Sequence, residues 1–255
     1  GDTDGADAVV VNTCGFIESA KMEAIETILA LGRAKKDGRI KRIIVAGCLS
    51  ERYKDEMLEE LPEIDALVGV GSYQDIVAAV RTALGGKLYT KFGDNSIPDP
   101  EVDRVITTSS VWAYLKIAEG CDNRCAYCVI PDIRGRFRSR PLENILREAE
   151  ELVSRGIREL IIVAQDTTRY GLDLYGERRL AELLEKLCGI KDLKWIRLHY
   201  LYPDEISDML IDVIAKNDKI LKYLDIPIQH INGGILQRMC RRGTGADVRA
   251  LFGKL

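Results

Sequence analysis

Three cysteines, Cys121, Cys125 and Cys128, stand in the segment Gly120-Cys121-Asp122-Asn123-Arg124-Cys125-Ala126-Tyr127-Cys128, directly after an apolar stretch. The pattern is C-x-x-x-C-x-x-C. A loop this short can curl so that its thiolates face one centre, and soft sulfur ligands select iron–sulfur clusters, zinc or Cu(I). Three cysteines on a four-iron cubane leave one iron without a protein thiolate. That iron can take the amino and carboxylate groups of a small molecule, so the donor set suits a reactive cluster. The competing reading is structural zinc, which needs four closed ligands and would have to recruit a remote Cys or His. The spacing, Tyr127 just before the last cysteine, and the strand–loop–helix setting favour the cluster.

Two further cysteines sit in comparable places. Cys14 follows the run Ala8–Val11, and Cys48 follows Ile43–Val45; each precedes a helical pattern. Ligand sites in open α/β sheets gather at the carboxyl ends of strands. Neighbouring strands are about 4.8 Å apart, so the two thiols can meet at one sheet edge. Two thiolates are too few for a cubane, and a third ligand would belong on an earlier βα unit. The alternative is a pair of independent buried thiols. Cys188 and Cys240 lie in helical patterns and read as packing residues.

Other polar groups fall near the same rim. Arg134, Arg136, Arg138 and Arg140 alternate along Ile133–Arg140. In an extended chain they would point to one side, where they could hold carboxylates or phosphates, or simply form a solvated edge. Gln165 and Asp166 follow an apolar strand and suit the methionyl end or the ribose of a nucleoside cofactor. His199 and His230 also follow strands, and each reads as a hydrogen-bonded packing residue. No Ser/His/Asp grouping, Walker-type loop or metalloprotease helix is present, and no residue is assigned as a catalytic acid or base.

The elements that must carry these residues alternate strand and helix. Three βα units are expected up to residue 90: strands at Ala8–Val11, Ile43–Val45 and Leu67–Val70, with helices at Glu18–Ala34, Glu51–Glu60 and Tyr73–Leu84. Residues 91–110, rich in Gly, Pro, Asn, Thr and Ser, read as a linker. Residues 111–255 predict four more βα units, with strands at Val111–Ala118, Leu160–Val163, Trp195–Leu198 and Leu224–Ile228. A helix opens at Pro141, where the missing N–H costs nothing. The fold class is therefore α/β: an N-terminal parallel α/β domain, then a second array of about four βα units. An array of four units leaves its last strand with an uncovered edge, as expected of a segment from a longer protein.

The chain has 255 residues, 46% hydrophobic and 30% charged, and a net charge of −3, so bulk charge does not point to nucleic acid. No apolar run is long enough to span a membrane, and the acidic start lacks an export signal. Seven cysteines, an odd number, in a chain without such a signal argue against a disulfide framework and for a cytoplasmic location.

Taken together, these residues resemble the radical S-adenosylmethionine methylthiotransferases. Val11-Asn12-Thr13-Cys14-Gly15-Phe16-Ile17 and Gly47-Cys48-Leu49-Ser50 are similar to that family's N-terminal domain, and Cys121, Cys125 and Cys128 to its radical-cluster loop. The resemblance implies two 4Fe–4S clusters. One is held by Cys121, Cys125 and Cys128; the auxiliary one is held by Cys14, Cys48 and a cysteine upstream of the segment seen here. It implies S-adenosylmethionine as cofactor, with Tyr127 near the adenine, and a TIM-like barrel of which about four βα units are present. Ala164–Gly171, Tyr200-Leu201-Tyr202-Pro203 and Ile226–Ile231 look like the branch that methylthiolates the β-carbon of an aspartate in small-subunit ribosomal protein twelve. That branch implies a ribosomal protein substrate, an external electron donor and no membrane, with RNA contact open to the four arginines. Alternatives are the tRNA-modifying branch and a non-catalytic, zinc-stabilised module that binds the ribosome.

Overall fold

The computed structural model describes residues 3, 5–97, 104–107 and 110–255, so most of the acidic start and part of the expected linker lie outside the described residues. The chain divides into two compact units. The first is Gly1–Pro100 with Cys128–Gly135, and the second is Glu101–Tyr127 with Arg136–Leu255.

The first unit runs β1 (Ala8–Thr13), α1 (Glu18–Lys36), β2 (Arg42–Gly47), α2 (Cys48–Glu60), β3 (Ala66–Val68), a 3-10 turn at Val70–Asp75, α3 (Ile76–Leu84) and β4 (Tyr89–Lys91). Its sheet is parallel throughout, in the order β1-β2-β3-β4. Side chains of a strand alternate between faces. Accordingly Ile43, Val45 and Leu67 pack with Ile28, Leu31 and Leu49 of α1 and α2, while Ile44, Ala46 and Val68 pack with Ala79 and Ala83 of α3. A short helix, α4 (Ile130–Arg134), belongs to this unit and contacts α2.

The second unit contains β5 (Trp112–Lys116), β6 (Ala118–Glu119), β7 (Arg138–Ser139), α5 (Leu142–Ser154), β8 (Glu159–Val163), α6 (Leu172–Tyr175), α7 (Leu180–Cys188), β9 (Trp195–Leu198), α8 (Asp208–Lys216), β10 (Ile220–Leu224), α9 (Gly233–Arg238) and α10 (Gly245–Lys254). Four strands form a parallel sheet in the order β10-β9-β8-β5, and β6 and β7 form an antiparallel pair. Leu115, Leu160, Ile162, Ile196 and Leu198 of the sheet pack with Ile145, Leu183, Leu184 and Val213 of the helices. This is the expected α/β class, and β10 is an edge strand among the described residues. No helix there is long and apolar enough to cross a membrane.

Several expected boundaries shift. Strand β10 ends at Leu224 instead of starting there. Pro227 has no N–H to give a ladder, and the chain instead makes tight turns in which Ile228 N donates to Ile226 O (2.8 Å) and His230 N to Ile228 O (2.7 Å). The one-sided row of four arginines does not form. Arg134 closes α4, and Gly135 at φ 73° turns the chain before Arg136. Cys240 lies past the end of α9, exposed and at φ 54°, not packed inside a helix.

Gly47 fixes the turn from β2 into α2, immediately before Cys48. Its φ is +110°, and a Cβ there would lie 2.5 Å from the Thr13 carbonyl oxygen. We expect Gly47→Ala to cost about 1–3 kcal/mol through backbone strain. An unchanged urea midpoint in the full-length protein would refute this reading of the turn.

Candidate functional site

In the second unit the cysteine loop leaves the sheet at a fixed point. Ile117 N donates to Val163 O (3.0 Å), β6 follows, and Gly120 at φ 77° turns the chain into Cys121. The loop is then fastened on three sides. Asp122 Oδ1 accepts from Phe137 N (3.2 Å), Ala126 N donates to Met239 O (3.0 Å), and Arg242 Nη2 donates to Asn123 Oδ1 (3.2 Å).

The deepest tie is Asp166, at the carboxyl end of β8, with no exposure to solvent. Asn123 Nδ2 donates to its Oδ2 (2.8 Å), and the Thr168 hydroxyl donates to its Oδ1. Thr168 Oγ1 in turn accepts from Tyr202 N (3.3 Å). Each Asp166 oxygen thus accepts a bond from the protein, and the residue braces the loop. Burial pushes its carboxyl above the ordinary value, opposed by the hydrogen bonds from Thr168 and Asn123. Gln165 is half-buried, and among the described residues its Oε1 is a buried acceptor with no hydrogen-bond partner. An orphaned acceptor at a strand end is what a ligand-facing amide would present.

Cys121 and Cys125 are both buried, and no cysteine is in a disulfide. Two groups reach the Cys125 sulfur: the Tyr202 hydroxyl at 2.9 Å and Arg241 Nη1 at 3.7 Å. The Arg241 guanidinium lies over the Tyr202 ring, 3.9 Å from its centroid, and Nη2 donates to Pro227 O (2.5 Å). Burial raises the Tyr202 phenol above its ordinary range, and the hydrogen bond to Cys125 adds to the effect. Tyr127 is half-exposed and close enough to act electrostatically on Arg241. The donors around Cys125 suit a sulfur that carries negative charge, as a cluster ligand does.

In the first unit Cys14 and Cys48 follow Thr13 and Gly47, which are register partners on β1 and β2. A Cβ on Gly15 would lie 2.9 Å from the Cys48 carbonyl oxygen, so the two strand exits run side by side. Cys14 is exposed and Cys48 buried, and Arg134 Nη2 donates to Cys48 Sγ (3.2 Å). Cys128, half-buried, also belongs to this unit. Among the described residues no three His, Cys, Asp or Glu side chains are arranged to hold a metal ion.

The remaining candidates have structural partners. Arg140 pairs with Glu148 (2.6 Å), Arg138 Nη1 donates to Arg136 O (2.7 Å), and the Arg136 side chain is 85% exposed. His230 is exposed, and its Nδ1 accepts from Asn232 N (2.9 Å); His199 packs edge-on to Tyr200. Sequence reasoning missed Asn123, Arg241 and Arg242, and took Tyr202 only as part of a motif. A buried contact between residues about a hundred positions apart leaves no periodic signal.

The model of the radical SAM superfamily matches residues 115–255, and that of uncharacterized protein family UPF0004 matches residues 1–69. The chain belongs to the radical SAM superfamily. Within it, the chain is 54% identical over 252 residues to a protein of Desulforamulus reducens named ribosomal protein uS12 methylthiotransferase RimO, covering 98% of this chain and 57% of that one. A protein of the same name from Pelotomaculum thermopropionicum is 54% identical over 251 residues, covering 98% of this chain and 56% of that one. The chain thus spans little more than half the length of these relatives. Among solved radical SAM structures, the S-adenosylmethionine methyltransferase TsrM from Kitasatospora setae, with cobalamin and a [4Fe-4S] cluster bound, superposes with TM-score 0.65 at 15% identity. That match covers 98% of this chain and 54% of TsrM, and it is a likeness of fold.

The raised Asp166 carboxyl sets a pH test. The folded protein holds that proton more tightly than the unfolded chain, whose value is about 4. The stability from this group is therefore present in acid and lost as pH rises through the folded value. Asp166→Asn keeps an acceptor for Asn123 without the charge. Its urea midpoint should gain on that of the wild type as pH rises from about 4. A pH-independent difference would contradict the burial argument.

Proposed function

We propose that this chain carries the cluster-binding part of a methylthiotransferase that modifies the β-carbon of an aspartate in small-subunit ribosomal protein twelve. The observation that carries the reading is the 54% identity, over nearly the whole chain, to relatives of that name. The buried Cys125 with its two donors agrees with it.

In this reading residues 1–90 form the domain of the auxiliary cluster, 91–110 the linker, and 111–255 the radical SAM domain. Cys121, Cys125 and Cys128 hold the first 4Fe–4S cluster. Cys14 and Cys48, with a third cysteine from outside this segment, hold the second. When loaded, the first cluster and S-adenosylmethionine supply a radical able to take hydrogen from an unactivated carbon, and the second supplies the sulfur of the methylthio group. The chain's own residues do the positioning. Asp166 and Asn123 fix the loop, Tyr127 offers an aromatic face to the adenine, and Gln165 offers its unpaired oxygen to the bound nucleoside or methionyl group. Arg136, the most exposed of the arginine series, is the residue best placed to meet an acidic substrate loop or ribosomal RNA. An external donor supplies the electron, and the protein acts in the cytoplasm.

Full-length protein reconstituted with iron and sulfide without oxygen should be brown and bind about four irons per cluster. Changing Cys121, Cys125 and Cys128 together to Ala should remove one cluster's iron and abolish activity. With S-adenosylmethionine and reductant, mass spectrometry should find a methylthio group on the ribosomal protein's aspartate. A colourless zinc protein, or modification of tRNA instead, would overturn the proposal.

A further inference from the structure

We propose that Tyr202 and Arg241 are positioning residues that donate hydrogen bonds to the Cys125 sulfur and thereby raise the reduction potential of the cluster on that loop. This rests on the cluster reading given above. The starting observation is a charge imbalance. Arg241 is only 8% exposed, yet among the described residues it forms no ion pair with a carboxylate. Its neighbour Arg242 has two, with Asp204 (3.0 Å) and Glu205 (2.8 Å). A buried cation without a counter-charge is costly. Arg241 is held instead by the Pro227 carbonyl and the Tyr202 ring, and Nη1 is turned towards Cys125. The ring contact is a cation–π interaction, which eases but does not replace a counter-ion. The missing anion is a thiolate.

Tyr202 completes the arrangement. Its hydroxyl is 2.9 Å from the same sulfur, and its backbone N–H is tied through Thr168 to Asp166. The phenol is therefore placed by the same brace that fixes the loop. Reduction adds negative charge to a cluster, and that charge spreads onto its sulfurs. Donors aimed at a ligand sulfur stabilise the reduced state more than the oxidised one, so removing them makes the potential more negative.

The test is an anaerobic redox titration of full-length, iron-loaded protein without S-adenosylmethionine, with iron content measured for each sample. Tyr202→Phe deletes one hydroxyl and keeps the ring; Arg241→Gln removes the charge; Arg241→Lys keeps it. We expect Arg241→Gln to shift the oxidised-to-reduced ratio about tenfold, or about 59 mV for one electron. Tyr202→Phe should shift it in the same direction by less, and Arg241→Lys should recover part of the loss. Should Arg241→Gln fail to load iron, Tyr202→Phe decides. Wild-type potentials in fully loaded variants would overturn the proposal while leaving the cluster reading intact. So would weaker S-adenosylmethionine binding at unchanged potential, which would assign Arg241 to the cofactor's carboxylate. A wild type that takes up no iron would sink the cluster reading and this inference with it.

Discussion

Asp166 is the constraint on which the second unit's site depends. A carboxylate with no solvent access is tolerable only if its lone pairs are fully engaged. Here the engagement is useful: one oxygen holds Asn123, inside the cysteine loop, and the other holds Thr168, which fixes Tyr202. A loop of eight residues is thereby tied to the carboxyl ends of β8 and β9. The tie adds to the bonds that Phe137, Met239 and Arg242 make to the loop, and a metal-binding loop loses affinity with every geometry it must give up on binding.

The parallel sheets explain why the chemistry gathers where it does. A parallel strand releases the chain at one rim, and its last side chains lie beside those of its neighbours. Thr13 and Gly47 are register partners, so the cysteines that follow them leave side by side. Cys121 follows β5 and β6, Asp166 follows β8, and Tyr202 follows β9. Each arrives by the same geometric rule, and specificity comes from the polar links between the loops.

That rule also accounts for what could be read in advance. Apolar runs such as Ile43-Ile44-Val45 and Leu160–Val163 announce buried parallel strands, and the α/β class follows from their alternation with helices. The spacing of Cys121, Cys125 and Cys128 announces a sulfur-rich site. Strand β4 is three residues long and gives no run to detect. The arginines from 134 to 140 look like one extended face, but Gly135 breaks it with a positive φ. Arg241 was invisible for a different reason: one arginine beside another reads as surface, and only the fold shows that the first is buried against sulfur while the second meets carboxylates.

The short helix α4 belongs to the first unit, although the chain on both sides of it, up to Tyr127 and from Arg136, belongs to the second. The polypeptide therefore passes between the units more than once. A single cut near residue 100 would not yield two intact modules: one fragment would lose the segment that packs on α2, and the other would carry it as an orphan.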